Sequence, residues 1–353
     1  MYQKNGFLLA FFLTIAIGNQ ISYAQSLGRI DSLRIELNRA SETEKFDVLW
    51  GLAYELFDVN NVEASVYARK AFEFAQSRKD SVQIVKSGRI LGQILRRVGE
   101  VDESIKILES VLTISINHKV EKETKLILNA IAISYVLKAE YDKALEYHFK
   151  SLVIREKEGD KKQISITLNN IGIVYYRLGN FDLALDYYLQ ALKVKEEAGD
   201  TFQLDRTLIN TGLCYNFLHN YEKAQEYFNK GFEACGSLCD TQIEVEGKFG
   251  LGVSFFGLKE YETAERYHKE SLELSIKDNN QAFEQENIIE LVRIYLVLND
   301  LVNANIYLKR MDDFKEKLNF KESLLSLYEV SADFYTKTRD FERANLFNEN
   351  ILF

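Results

Sequence analysis

Residues 171–192 read IGIVYYRLGNFDLALDYYLQAL. Gly172, Tyr175, Gly179, Phe181, Ala184, Tyr188 and Ala191 fall mostly three or four residues apart, the spacing that keeps side chains on one face of a helix. Gly179-Asn180 breaks that run, so the stretch reads as two helices joined by a tight turn. The same skeleton recurs every forty residues. Counting from Gly172 gives small residues at Gly92, Ala132, Gly212, Gly252, Val292 and Ala332. Three residues on stand Leu95, Tyr135, Tyr175, Tyr215, Phe255, Tyr295 and Tyr335. Nine on stand Val101, Tyr141, Phe181, Tyr221, Tyr261, Leu301 and Phe341, and twelve on stand Ser104, Ala144, Ala184, Ala224, Ala264, Ala304 and Ala344. An earlier unit, WGLAYELFDVNNVEASVYARKAFEFA (residues 50–75), places Ala64 and Ala71 forty residues before Ser104 and Val111, with a turn one residue shorter.

Leu168, Gly172, Tyr175, Gly179, Phe181, Ala184, Tyr188 and Ala191 together resemble the consensus of the tetratricopeptide repeat, from about residue 44 to the end of the chain. Two departures are plain: the usual period is about 34 residues, and the proline that commonly closes the unit never occurs. Six extra residues shared by two helices lengthen each by about 4.5 Å, as in a long-helix subclass found in regulatory scaffolds. The resemblance implies an all-α, right-handed α-solenoid of about eight helix hairpins. The expected units are 44–83, 84–123, 124–163, 164–203, 204–243, 244–283, 284–323 and 324–353, after a lead-in at 25–43.

Elementary packing accounts for the steps. A small residue on the first helix and an alanine on the second let the two cross closely. The aromatics are expected to fill the wedge between successive hairpins. Within the turns, Gly or Asn suits a left-handed cap, and an acidic or amide residue is expected to N-cap the following helix. No hairpin buries its face alone, so each is the core of its neighbour.

Composition agrees. Hydrophobic residues make up 46% and charged residues 27%, and there is no proline, the strongest helix breaker. The formal charge of −9 is mixed along the length without a dense basic block, which argues against nucleic acid. The start, MYQKNGFLLAFFLTIAIGNQISYAQS, has Lys4, an apolar run from Phe7 to Ile17 and Ser22-Tyr23-Ala24, the layout of a signal peptide cut after Ala24. Residues 1–24 are therefore expected to be removed, leaving an exported repeat region that does not itself enter a membrane. The apolar end, Ile351-Leu352-Phe353, leads us to expect that the chain continues, with a transmembrane segment next if it is a sensor; a partner, or the tail packing on itself, is the alternative.

Signs of chemistry are sparse. No phosphate loop, HExxH, GxSxG or dinucleotide glycine motif is present, and no cofactor or metal is expected. His118, His148, His219 and His268 lack metal-ligand spacing and read as helix-surface, turn or inter-hairpin residues. Of three cysteines, Cys214 reads as core. Cys235 and Cys239 are either free or bridged, the bridge being awkward in an unbroken helix. A carboxylate-dependent hydrolase using Glu290 and Asp333 is the remote alternative to a non-enzymatic role.

The resemblance also implies a concave binding groove lined by the first helix of each unit. In the N-terminal units that face comprises Lys86, Arg89, Gln93, Arg96, Arg97, Asn129 and Ile133. In the middle units it comprises Asn169, Asn170, Ile173, Tyr176, Arg177, Arg206, Asn210, Leu213, Asn216 and Phe217. Further on come Glu246, Phe249, Val253, Phe256, Glu286, Glu290, Arg293, Glu329 and Asp333. Asn170 and Asn210 stand where such scaffolds often hydrogen-bond a ligand's backbone. The full Lys/Arg and Asn set that clamps a C-terminal carboxylate in chaperone-binding repeats is not reproduced. The groove is expected to hold a peptide or protein segment, basic at one end and acidic at the other. These charges read alternatively as solvated helix faces, and the aromatics as core. The expected role is the sensory ectodomain of a membrane-bound bacterial signalling regulator, with a free periplasmic scaffold as the alternative.

Overall fold

A computed structural model describes residues 27–236, 239–312, 314 and 321–351. The chain divides into two compact units, residues 1–159 and 160–353. The described residues of the N-terminal unit form α1 (27–37), α2 (Lys45–Leu56), α3 (Asn61–Arg78), α4 (Ser81–Arg97), α5 (Val101–Asn117), α6 (Glu121–Leu137) and α7 (Tyr141–Glu158). Those of the C-terminal unit form α8 (Lys161–Arg177), α9 (Phe181–Ala198), α10 (Leu204–Phe217), α11 (Tyr221–Cys235), α12 (Thr241–Gly257) and α13 (Tyr261–Lys277). It continues with α14 (Gln281–Val297), α15 (Leu301–Asp312), α16 (Lys321–Lys337) and α17 (Phe341–Ile351). Each unit is an all-α solenoid of antiparallel hairpins, and no strand occurs among the described residues. The signal-peptide reading falls on residues outside the described ones, as do Leu352 and Phe353. No helix among the described residues is long and apolar enough to cross a membrane.

The helices end on a strict rhythm. Lys79, Gly99, Lys119, Ala139, Gly159, Gly179, Gly199, His219, Lys259, Asn279, Asn299 and Arg339 carry φ between 54° and 90°, one at nearly every twentieth residue. Inside hairpins the amide after this residue donates to the carbonyl five positions back, as in Asn180 N–H to Tyr175 O (2.9 Å) and Glu140 N–H to Tyr135 O (3.0 Å). That bond closes a Schellman cap. Gly or Asn fills only some of these positions, and Lys, Ala, His and Arg adopt the same left-handed φ at the others. The bonds and packing of the cap hold them there against a cost of about 1–2 kcal/mol for a left-handed L-residue. The expectation for N-capping needs correcting. Asn60, Asp80, Asp160, Asn180, Asn220, Asp240 and Asn280 accept from the first-turn amides, whereas Glu100, Glu140 and Glu260 make no such bond. The extra methylene of glutamate closes the cap ring poorly. Glu100 pairs instead with Arg69, and Glu140 with Lys138 and Lys143.

Where the hairpin helices cross, the glycines are enforced by rings. A Cβ on Gly172 would lie 2.6 Å from the Tyr188 ring, one on Gly212 2.7 Å from Phe228, and one on Gly252 2.5 Å from His268. Ala144, Ala184, Ala224, Ala264 and Ala304 are wholly buried on the second helices. Residues sixteen after the small one thus form a core row: Leu108, His148, Tyr188, Phe228 and His268. Of the two readings of His148 and His268, the helix-surface one fails, since they are 1% and 0% exposed, and the inter-hairpin one holds for His268, which meets Asn287 of the next hairpin.

The aromatics stack inside hairpins, not simply between them. Tyr135–Tyr147, Tyr175–Tyr187, Tyr215–Tyr227, Phe255–Tyr267, Tyr295–Tyr307 and Tyr335–Phe347 lie with centroids 5.2–5.7 Å apart. The hydroxyls of Tyr135 and Tyr295 reach back to the preceding hairpin, to Glu109 and Glu265, both at 2.8 Å. The lead-in proves structural: α1 buries Ile30 and Leu33 in the core that contains Leu52, Ala53 and Leu91. Cys235 and Cys239 are bridged, with Cα atoms 4.7 Å apart. The geometry is available because α11 stops at Cys235 and Gly236 turns left-handed (φ 59°), so the pair does not share a helix.

Candidate functional site

In the C-terminal unit the first helices lie side by side, α8 against α10, α10 against α12, α12 against α14 and α14 against α16. Residues at forty-residue steps therefore sit at matching heights on adjoining helices and form rows across one face. One row is Asn170, Asn210, Gly250 and Glu290; another is Ile173, Leu213, Val253 and Arg293. Asn170, Asn210, Ile173, Leu213 and Val253 are all half-buried. The apolar members shield one another laterally yet keep solvent contact, and an amide stands one helical turn before Ile173 and Leu213. An amide donates and accepts at once, which suits a peptide backbone.

Aromatic side chains gather where these helices meet their turns. Tyr176 packs edge-on against Phe181 and Phe217 at 5.4 and 5.5 Å, while Phe181 and Phe217 stack at 4.2 Å. Phe217 remains 50% exposed, a large apolar surface open to a partner. Phe256 meets Tyr261 edge-on at 5.5 Å. Phe181 and Tyr261 come from second helices and were missed as members of the face. Their signal lay in the row nine residues after each small residue, read only as a repeat landmark.

The charges of this unit are unevenly balanced. Burial pushes the Glu246 carboxyl above its usual pKa, against the pull of the Gln242 amide (2.8 Å) and of Arg206 and Arg177. Glu246 thus lies in the field of both arginines. Glu290 is also held above the carboxylate range, by burial and by Glu286, with Arg293 at 3.4 Å opposing. Three residues expected on the face belong elsewhere: Asn169, only 7% exposed within the packing of α8, Asn216 and Phe249. Asn216 is buried, donating to Gly250 O (2.7 Å) and accepting from Ser254 Oγ (2.7 Å). Phe249 packs on His268 and Phe283.

In the N-terminal unit the corresponding residues are more self-contained. Arg89 forms an ion pair with Glu123 at 2.5 Å, both side chains 13% exposed, and donates to Gln93 Oε1 at 3.2 Å. Burial, with Arg97 adjacent, pushes the Arg96 guanidinium pKa down. Asn129 is half-buried on α6. The expected basic end is thus partly neutralised from within, because Glu123 folds against Arg89.

Comparison with known proteins gives the face its context. The tetratricopeptide repeat model matches residues 123–197 and again 163–237, the hairpins that carry Asn170 and Asn210. Residues 123–237 are tetratricopeptide repeats. Among solved structures, apo RapI superposes with a TM-score of 0.64 at 19% identity, over 78% of this chain and 98% of its own. A Rap protein complexed with Competence and Sporulation Factor gives 0.57 at 13% identity, over 88% and 97%. The apo quorum sensor NprR from B. thuringiensis gives 0.57 at 15%, over 90% and 99%. At these identities the likeness is one of fold. No curated protein matches the chain.

Proposed function

We propose that this repeat protein is a non-enzymatic interaction module that holds a peptide or protein segment on the first-helix face of its C-terminal unit. The observation that carries the reading is the paired rows Asn170/Asn210 and Ile173/Leu213/Val253 on adjoining helices, half-buried and flanked by the exposed ring of Phe217. Such a face offers backbone hydrogen bonds and apolar anchoring together. A structural neighbour complexed with Competence and Sporulation Factor and another described as a quorum sensor support a ligand-sensing role for the scaffold.

The test uses peptides selected from a random displayed library on the wild-type chain. Asn170→Ala with Asn210→Ala is expected to weaken them at least tenfold, roughly the loss of one or two amide hydrogen bonds to a ligand, with helicity and melting unchanged. Unaltered affinity would remove the face from the account.

The module acts outside the cytoplasm, as the sensory ectodomain of a membrane-bound signalling regulator. The leader-like residues 1–24 and the Cys235–Cys239 bridge support export, since disulfides persist in oxidising compartments. An immunoblot of fractionated cells tests this. A membrane-fraction band heavier than residues 25–353 is expected. A soluble envelope band of that mass would favour a free scaffold, and a cytoplasmic one would overturn export.

A further inference from the structure

We propose that the Cys235–Cys239 bridge is a thiol-exchange site, at which a low-molecular-weight thiol joins Cys239 and releases Cys235. The inference concerns the joint between α11 and α12 and does not depend on the first-helix face.

The repeat register shows what the bridge stands in for. Ser115 on α5, Lys195 on α9 and Cys235 on α11 occupy one step of the forty-residue repeat, in the last turn of a second helix. Each fastens the joint that follows. Ser115 Oγ donates to Val120 O at 3.1 Å. Lys195 Nζ donates to Phe202 O and stands 3.8 Å from Asp200 Oδ2. Cys235 makes the same fastening covalently, through Cys239. Of these three, the disulfide alone is cut by a specific reagent, a thiolate that attacks one sulfur.

The surroundings decide which sulfur is attacked. Both cysteines are half-buried, unlike the wholly buried Cys214. Cys239 lines a cavity of about 390 Å³ among α11, α12 and α13, and Cys235 does not. Sites for small organic molecules run from about 300 to 1,000 Å³, so a small thiol has room. Lys248 and Arg266 share the cavity, but Glu270 pairs with both, and Arg266 also lies 4.3 Å over the Tyr267 ring. Neither cation awaits an anionic ligand, which leaves the sulfur as the reactive group. Cys235 faces its own helix instead. Its Sγ lies 3.6 Å from Phe232 O, and the Phe232 ring packs so closely on α12 that a Cβ on Gly247 would stand 2.6 Å from it.

The step balances without an oxidant. The incoming thiolate bonds to Cys239 Sγ, the Sγ–Sγ bond breaks, and its electron pair leaves on Cys235 Sγ, which takes a proton from solvent. One disulfide replaces another. The released Cys235 thiol has Phe232 O as its acceptor, and the joint loses its covalent fastening.

The test adds reduced glutathione to the folded chain, quenches timed samples with iodoacetamide and maps the peptides by mass spectrometry. Glutathione is expected on Cys239 and the alkyl group on Cys235, with Cys214 unmodified as the sign that the chain stayed folded. Asn229→Trp, which fills the cavity from an exposed position on α11, should slow the reaction roughly tenfold in the folded chain, because exchange requires access to the sulfur, and leave the rate in urea unchanged. An adduct on Cys235, or shared by both cysteines, would overturn the inference. So would exchange that begins only when urea also exposes Cys214, three free thiols in the purified chain, or a wild-type rate in folded Asn229→Trp.

Discussion

Acid should loosen this protein through two buried histidines. His268 lies under Gly252, with Nδ1 3.0 Å from Asn287 Oδ1, the Phe249 ring edge-on, and Nε2 without a hydrogen-bond partner among the described residues. Burial holds its pKa down at about 4, the Asn287 contact opposing. His148 occupies the same step on α7, where burial and the charge of Arg155 push it to about 3. An unfolded histidine titrates near 6.5. Between these limits the unfolded chain binds protons that the folded chain refuses. Stability contributed by the neutral rings is therefore full above about pH 7 and is lost as pH falls below about 6.5. At pH 5 each histidine should cost about 2 kcal/mol relative to neutral pH, from folded values of about 4 and about 3. Glu246 and Glu290 act the other way, since their raised pKa values favour the folded state in acid. The clean comparison is thus between proteins, not between pH values. Leucine is the natural replacement, because Leu108 fills the same step beneath Gly92. Urea unfolding followed by circular dichroism at pH 5.0 and 7.5 should show His268→Leu and His148→Leu each losing about 2 kcal/mol less than wild type on acidification. An acid sensitivity identical to wild type in His268→Leu would refute the assignment.

Three further outcomes follow from the packing. Gly172→Ala should destabilise by about 1–3 kcal/mol in chemical denaturation, because its Cβ would stand 2.6 Å from the Tyr188 ring. Ala139→Gly should stabilise by about 0.5–1 kcal/mol in the same assay, relieving a φ of 56° that alanine adopts at a cost. Replacing Cys235 and Cys239 together by serine should lower stability by about 2 kcal/mol, the chain-entropy value for so short a loop; a variant as stable as wild type would mean that Gly236 and the packing around Phe232 end α11 unaided.

What the sequence made legible was whatever depends on spacing. The forty-residue register from Gly92 to Ala344 fixed the helix pairs, and Gly252 and Ala264 fixed where two of them cross. What depends on a partner distant in sequence was not legible. Arg89 looks like a free cation until α6 brings Glu123 against it. Asn210 and Asn216 lie on one helix, yet six residues of a 3.6-residue turn send the second inward to Gly250. The histidines looked superficial because their row was defined by contact with the small residues, sixteen positions away, and not by polarity. The bridge hung on where α11 stops, which a three-residue difference from the eighteen-residue α9 decides.

The most direct test of the central claim is a methyl NMR titration of the chain with a library-selected peptide. Shifts are expected at Ile173, Leu213 and Val253 on the first helices, with the exposed Leu183 of α9 unmoved. Shifts at Leu183 and other second-helix methyls, with Ile173, Leu213 and Val253 silent, would place the ligand on the opposite side of the hairpins and contradict the account.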